Sequence, residues 1–271
     1  MKSSNIGGQA VMEGIMMRSG DQYSIGVRKP DGEIEVKVEP YRSWAKDSSI
    51  WKLPVFRGVA SFFESLVVGI RCLMYSASFI EDEEEDAKKP GKEKTEEQKE
   101  KEEKWLMYGT MTFSVIFSIA LFIMLPYFLA GFLRNVTTSE GVIAVAEACV
   151  RMILFLGYLV LISRMKDIQR VFMYHGAEHK CINCVEHGLE LNVENVMKSS
   201  REHKRCGTSF LLFVMIVSII FFLFIRVSSP VLRVVIRLLL MPVIAGVSYE
   251  IIRLAGKSDN KIVALLSKPG L

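Results

Sequence analysis

The stretch that decides the fold is WLMYGTMTFSVIFSIALFIMLPYFLAGF, residues Trp105–Phe132, which contains no charged side chain. With about 1.5 Å of rise per residue, a helix of this length crosses the roughly 30 Å hydrocarbon layer of a bilayer. The tryptophan at its start suits the membrane–water interface. We therefore predict a transmembrane helix here and an integral membrane protein.

Three further apolar segments predict membrane-spanning helices, and they cover residues 141–163, 208–227 and 231–254. Half of the 271 residues are hydrophobic and they are bunched into these runs, whereas a soluble domain needs a polar surface. The net charge of +4 gives no reason to expect a nucleic-acid partner. The first twenty residues have no continuous apolar run, so we expect no signal peptide.

Residues 55–80 are also apolar, but their charges follow a helical pattern. Arg57, Glu64 and Arg71 are spaced seven residues apart, so they lie on one face of a helix. Such a helix suits the membrane interface, a re-entrant segment or the interior of a bundle better than a simple span. The next segment, 81–104, consists almost wholly of Glu, Asp and Lys, which predicts a solvated helix or a disordered linker.

The N-terminal segment 1–54 has the pattern of a small soluble cap. Residues 23–28 and 34–38 alternate in polarity, and Lys29-Pro30-Asp31-Gly32 between them is a turn signal, because proline presets φ and glycine admits positive φ. The pattern predicts a β-hairpin.

The basic residues indicate the topology. Lysine and arginine are frequent in 1–54, in the loop 164–207 and in the tail 257–271, but nearly absent from 135–140. The positive-inside rule places the basic regions and both termini in the cytoplasm. We predict an all-α polytopic membrane protein with about four transmembrane helices, one interfacial or re-entrant helix and a small cytosolic cap containing the β-hairpin. The spans form two pairs, within 105–163 and 208–256.

The loop 164–207 contains all four histidines of the chain. His175 and His179 are four residues apart, so their rings share one helix face and can bind one metal ion. With Glu178 they form the pattern H-x-x-E-H, the inverted zinc-protease motif, in which Glu178 would ligate the ion or act as a general base.

Further metal donors lie nearby: Cys181, Cys184, Glu186, His187, Glu202, His203 and Cys206. Cys181 and Cys184 have the spacing of half a zinc knuckle, and His203 with Cys206 could complete a closed structural site. A catalytic site would instead keep three protein ligands and one open position. A third interpretation is that the histidines bind nothing. Thiolates favour zinc, whereas His and Glu alone would also suit manganese or iron.

Two charged residues fall inside the predicted span 141–163. Glu147 and Arg151 are one helical turn apart and can pair inside the bundle. Charges at that depth are costly and face a polar interior, where they lock helices together or serve an ion path.

Several blocks of this sequence resemble the bacterial YqhQ-like membrane family. They lie in order along nearly the whole chain, except for the charged linker: Gly7–Gly14, Met16–Arg18, Arg57–Gly58, Glu64–Leu66, Tyr174–His179, His203–Phe210, Ser248–Glu250 and Arg253–Leu254. The resemblance implies a multi-pass protein of the bacterial cytoplasmic membrane and a metal-dependent enzyme. Lys204 stands where the family usually has proline.

The resemblance also implies a polar set around one ion: Glu13, His175, Glu178, His179, His203 and Cys206, with Glu186 and Glu250 as further candidates. The cysteines of the C-x-x-C pair are not part of the family's blocks, which weakens the zinc-knuckle interpretation. We expect His175 and His179 to bind the ion, with His203 as third ligand. Glu13, Glu186, Cys206 and Glu250 are then neighbours or alternative ligands.

Three functions fit these residues. The first, which we favour, is a zinc metalloprotease that cleaves a membrane protein near the cytoplasmic face, with Glu178 as the catalytic base. The second is a metal-dependent enzyme acting on a lipid head group or phosphate ester, with Lys180, Arg201 and Arg205 nearby. The third is a membrane scaffold, assembly factor or transporter with a structural metal.

Overall fold

The computed structural model describes residues 4, 6–43, 49–87, 96–203, 206–225, 227 and 229–257. Four strands come first: β1 Gly7–Val11, β2 Gly14–Ser19, β3 Gln22–Arg28 and β4 Ile34–Pro40. The helices follow: α1 Phe56–Ala87, α2 Glu96–Ile119, α3 Leu125–Gly131, α4 Glu140–Ile162, α5 Lys166–Glu186, α6 Val193–Lys198, α7 Gly207–Phe224 and α8 Pro230–Lys257. The centre of the predicted linker (88–95) and the tail from 258 onward lie outside the described residues.

The chain divides into two compact units. The first comprises residues 1–85, 163–218 and 239–271, and the second comprises residues 86–162 and 219–238. The first unit therefore holds the strands, α5, α6 and nearly all of α1, and the second holds α2, α3 and α4.

The strands form one antiparallel sheet in the order β1-β2-β3-β4. The predicted hairpin is present as β3 and β4, with Gly32 at φ +89° in its turn. The sequence predicted only this hairpin, but the sheet has four strands. β1 and β2 form a second hairpin, in which β2 pairs with β3 of the first. Sequence patterns missed these two strands because their glycines weaken the β signal.

The sheet packs against α1 and forms a hydrophobic core with it. The core comprises Val11, Met16, Tyr23, Ile25, Val27, Tyr41 and Cys72, with Val68, Tyr75 and Phe79 packed against it. The α1 side chains in this contact recur every three to four residues, as one face of a helix requires. The Glu64 carboxylate, on the same face, accepts hydrogen bonds from Tyr41 and Ser43. Of the three charges predicted on one face of this helix, Glu64 therefore binds the cap, whereas Arg57 pairs with Glu250 of α8.

The opposite face of α1 is apolar and exposed. Its large exposed side chains are Phe63, Leu66, Val67, Leu73 and Met74. Residues Phe56–Ile80 form one uninterrupted helix that is long and apolar enough to cross a membrane, as are Trp105–Asn135, Glu140–Ile162 and Val231–Leu254. The number of candidate spans, four, agrees with the prediction. One of the four, however, is α1, which was not predicted to be a simple span.

The predicted span 208–227 is represented by α7, a helix of 18 residues. Its length of about 27 Å is slightly less than the hydrocarbon layer. Its described apolar part, Ser209–Phe224, falls below the length of the other four candidates.

The second unit contains a π-helical segment, Ala120–Met124, where α2 meets α3. It is followed by Pro126, which has no N–H to donate to the carbonyl of Phe122. Arg151 Nε donates to that carbonyl instead, at 3.2 Å. A freed backbone acceptor within an apolar helix is thus satisfied by a side chain of α4, as a low-dielectric environment requires.

Candidate metal centre

Helix α5 presents His175 and His179 on one face, one turn apart, with their ring centroids separated by 4.3 Å. Cys206, immediately before α7, places its Sγ 3.1 Å from His175 Nε2. One donor atom from each of these residues lies within 4.8 Å of the other two. These three residues are called the His-His-Cys cluster below.

The remaining nitrogen of each imidazole is engaged on the side away from Cys206. His175 Nδ1 lies 3.1 Å from Glu178 Oε2, and His179 Nδ1 donates to the carbonyl of Arg201 at 2.7 Å. Histidines that bind metals characteristically give their second nitrogen to a carboxylate or a backbone carbonyl, which fixes the tautomer and the ring. Both rings of the cluster have this arrangement.

The connection between α6 and α7 is held against α5 by a buried amide. Asn183 Nδ2 donates to the carbonyls of Ser200 and Glu202 at 2.7 and 2.9 Å. Lys180 Nζ donates to the carbonyl of Met197 at 2.5 Å. These bonds secure the chain just before His203 and Cys206, so the cluster's thiol is positioned by the helix that carries its imidazoles.

Strand β1 covers Glu178, which is only 3% exposed. A β-carbon added to Gly8 would overlap the Glu178 carboxylate, so the strand can approach this closely only because Gly8 has no side chain. The same holds on the α1 side, where Gly69 leaves room for the amide of Gln9. Gly8 of β1 and Gly69 of α1 therefore let β1 fit between α1 and α5.

The tip of the first hairpin is fastened to α5 by Glu13, which adopts positive φ (50°) in the β1–β2 turn. Its carboxylate forms a two-point ion pair with Arg170 and accepts a hydrogen bond from the Tyr174 hydroxyl at 3.2 Å. The hydrogen bond from Arg170 lowers the pKa of Glu13, and partial burial opposes this change. Glu13 thus anchors the cap instead of joining the cluster.

His203, the expected third ligand, is placed beside the cluster. Its ring centroid is 5.7 Å from that of His179, and its Nε2 is 3.4 Å from Glu186 Oε2. The other oxygen of Glu186 accepts from the backbone and hydroxyl of Ser4 at 3.0 Å each. Cys206 therefore takes the position next to the two imidazoles, and His203 and Glu186 form a buried pair at the end of α5.

The other candidate donors are engaged elsewhere. Cys184 Sγ lies 3.4 Å from the carbonyl of Glu190, and His187 Nδ1 is 2.7 Å from the carbonyl of Asn183. Cys181 lines a cavity of about 480 Å³ between α5 and the sheet. Burial raises the pKa of its thiol. Among the described residues, the C-x-x-C pair does not join the His-His-Cys cluster.

Glu250 lies at the other end of the first unit. It forms a two-point ion pair with Arg57 of α1, with both bonds at 2.5 Å. Nearby, Gly58 and Gly246 bring the start of α1 and the backbone of α8 together, because a β-carbon on Gly58 would come within 3 Å of Gly246 and one on Gly246 within 3 Å of Val55. The late Ser248–Glu250 block thus joins two helices and contributes no donor to the cluster.

The cluster is electrostatically coupled. Hydrogen bonds to Cys206 and to Glu178 raise the pKa of His175 from 6.5 to about 10, although burial acts against them. For His179, burial lowers the pKa, but the contacts with Cys206 and the Arg201 carbonyl more than offset it, so the net pKa is raised. Both rings therefore sit in an environment that favours positive charge, which a bound cation can supply in place of protons.

A second buried polar group, in the second unit, contains the predicted pair. Glu147 Oε1 accepts from Arg151 Nη2 at 2.7 Å, and Arg237 of α8 also contacts Glu147. All three side chains are buried. The sequence predicted the pairing of Glu147 with Arg151, and the structure adds Arg237 as a partner.

Sequence reasoning missed several residues that position the site. Arg170 and Asn183 carry no motif, and their roles depend on contacts with distant segments. Gly8 falls in the Gly7–Gly14 block, but spacing alone does not identify Glu178 as its partner. For Cys206, the sequence feature that could indicate a role at the site is its position in the His203–Phe210 block.

Comparison with known proteins gives two matches. Residues 53–271 match the model of a family described as "Protein of unknown function (DUF1385)". The chain is 37% identical over 267 residues to the "Uncharacterized protein YqhQ" of Bacillus subtilis (strain 168). The matched residues cover 98% of this chain and 83% of that protein. No solved structure matches the chain significantly.

Proposed function

We propose that this chain, which belongs to the DUF1385 family, is a membrane-bound metal-dependent hydrolase with its ion held by His175, His179 and Cys206. The observation that carries the proposal is the convergence of two imidazoles and one thiol, with both outer imidazole nitrogens already engaged. Packing that is unrelated to metal binding does not require the second nitrogen of both imidazoles to be engaged.

The donor set fits zinc. Two nitrogen donors and one thiolate supply three ligands of a tetrahedral set and leave the fourth position open, as catalytic zinc sites with three protein ligands do. Among the described residues, the group contains three donors and no fourth. A divalent ion bound here would supply Lewis-acid chemistry and activate water for hydrolysis.

The protein's own residues hold and orient this donor set. Glu178 is 3.1 Å from the outer nitrogen of His175, so its geometry supports orienting that ring and favouring its cationic or ion-bound state. This differs from the general-base role that the H-x-x-E-H pattern predicts for Glu178. β1 excludes water from this carboxylate, because Gly8 packs directly against it.

The proposed substrate is a peptide bond in a membrane protein or its tail. This part of the proposal rests on the H-x-x-E-H pattern and on the position of α5 directly after the apolar helix α4. Four apolar helices support a multi-pass protein of the bacterial cytoplasmic membrane. The basic loops support a cytoplasmic location for both termini and for the cluster.

Hydrolysis by the reconstituted protein tests the proposal. The full chain in liposomes would be given a library of quenched fluorescent peptides with and without a chelator. We expect cleavage that the chelator abolishes, that added zinc restores and that His175→Ala eliminates. His187→Ala is the matched control, because that residue caps the end of the same helix and lies outside the cluster. Cleavage that persists in His175→Ala and His179→Ala would contradict the proposal.

A further inference from the structure

The second unit buries more positive than negative charge. Arg151 and Arg237 are 4% and 3% exposed, and the single carboxylate between them, Glu147, is 6% exposed. Glu147 Oε1 accepts from Arg151 Nη2 at 2.7 Å, and Glu147 Oε2 accepts from Arg237 Nη2 at 2.9 Å. Two guanidinium charges against one carboxylate leave one positive charge in surroundings made of apolar helices.

This surplus cannot be removed by proton release at ordinary pH. Guanidinium groups keep their proton in proteins because of their very high intrinsic pKa. A buried charge without a counter-charge is strongly unfavourable, so a further anionic group is expected nearby. The ring of Phe222 offers partial compensation, since both guanidinium carbons lie over it at 4.8 and 4.9 Å.

A cavity of about 60 Å³ adjoins two of these three charges, Glu147 and Arg237. Glu147, Arg233 and Arg237 contribute to its lining, together with apolar residues of α4 and α7. Arg237 Nε is buried and has no hydrogen-bond acceptor among the described residues. The cavity has room for more than one water-sized particle, since one water needs about 10–15 Å³ by this measure.

The other charges at the cavity do not neutralise the surplus. Arg233 adds a second cation, and its guanidinium donates to the carbonyl of Val227 at 3.1 and 2.6 Å. Glu140 is more than half exposed and lies 3.6 Å from its own cation, Arg134. The cavity therefore combines a surplus of positive charge with an unused buried N–H donor.

We propose that this cavity binds one small monovalent anion, chloride in the first instance. One negative charge balances the surplus of the Glu147–Arg151–Arg237 group. A halide needs only N–H donors and fits the volume, whereas a phosphate group brings more charge and more acceptor oxygens than this lining can satisfy. The anion stabilises the contact between α4 and α8 by compensating the surplus positive charge at Arg237.

Equilibrium binding of radioactive chloride to the full chain tests this directly. The protein would be placed in nanodiscs of uncharged phosphatidylcholine, with gluconate as the balancing anion. We expect saturable binding near one chloride per chain and a lower thermal unfolding midpoint when gluconate replaces chloride. Arg237→Met should abolish the binding, because Glu147 and Arg151 then form a neutral pair. Arg164→Met, an exposed arginine outside this unit, should leave it unchanged.

A second variant separates anion binding from simple helix packing. Glu147→Gln removes the protein's own counter-charge, so chloride should bind roughly tenfold more tightly or better. A packing role alone would not produce tighter binding. The proposal is overturned if the wild type shows no saturable chloride binding, or if Arg237→Met binds chloride like the wild type. It is equally overturned if only anionic lipid or phosphate binds at this site.

Discussion

The backbone of Gly8 lies directly against the Glu178 carboxylate, close enough that any β-carbon at Gly8 would overlap it. Glu178 in turn contacts the outer nitrogen of His175. The N-terminal strand is therefore linked through one carboxylate to the cluster that we propose binds the ion.

Gly8→Ala should weaken ion binding more than it weakens the fold. The new methyl group must displace the end of the Glu178 side chain, which removes its contact with His175. We expect at least tenfold lower zinc affinity, and a loss of about 1–3 kcal/mol in the free energy of unfolding from overpacking. Zinc titration and thermal unfolding measure the two effects. Gly7→Ala is the control, because a β-carbon there meets nothing within 4 Å, and equal effects from both variants would refute this link.

Glu178→Gln distinguishes between the two roles considered for this carboxylate. If Glu178 orients His175, the neutral amide should lower zinc affinity by roughly 10–100-fold, the range for outer partners of metal ligands. If it is the general base, zinc content should be unchanged and hydrolysis should be lost. We expect reduced affinity, measured by competition with a chromogenic chelator. Unchanged affinity would assign the carboxylate to the chemistry instead.

The contact between Glu13 and Arg170 should make the attachment of the cap pH-dependent. Because Arg170 lowers the pKa of Glu13, the contact contributes stability above the ordinary glutamate pKa of about 4.5 and loses it as pH falls through the lowered value. Glu13→Gln should therefore unfold at a lower temperature than the wild type at pH 7. The difference should narrow as the pH falls below about 4.5. A difference that stays constant between pH 7 and pH 3 would show that the contact is not electrostatic.

Helix α1 is expected to lie in the cytoplasmic interface of the membrane, although its length would allow it to span. The sheet occupies one face of α1 from Glu64 to Phe79, and a charged sheet cannot enter the hydrocarbon layer. Trp51→Cys, just before the helix, and Ser78→Cys, near the end of its apolar part Phe56–Ile80, should both react with an impermeant maleimide in inside-out vesicles. Thr138→Cys, in the loop predicted to lie outside, should react only in right-side-out vesicles. Labelling of Ser78→Cys from the outside would show that α1 spans.

The sequence predicted most of the helices because long apolar runs have few alternative structures. It also predicted the β3–β4 hairpin, whose turn residues and alternation are local signals. It missed β1 and β2 because glycines in both strands, among them Gly8, weaken the usual strand pattern. The shared helix face of His175 and His179 followed from their spacing. The position of Cys206 did not, because it depends on how Asn183 holds the chain between α6 and α7.

The central claim is that His175, His179 and Cys206 bind one ion, and the metal content of the purified full-length chain tests it most directly. Mass spectrometry of the detergent-purified protein should find about one zinc per chain. His175→Ala and Cys206→Ser should lose this zinc, whereas His187→Ala and the exposed cysteine variant Cys149→Ser should retain it. A wild-type protein that remains free of metal after incubation with zinc, or a Cys206→Ser protein that keeps its zinc, would contradict the claim.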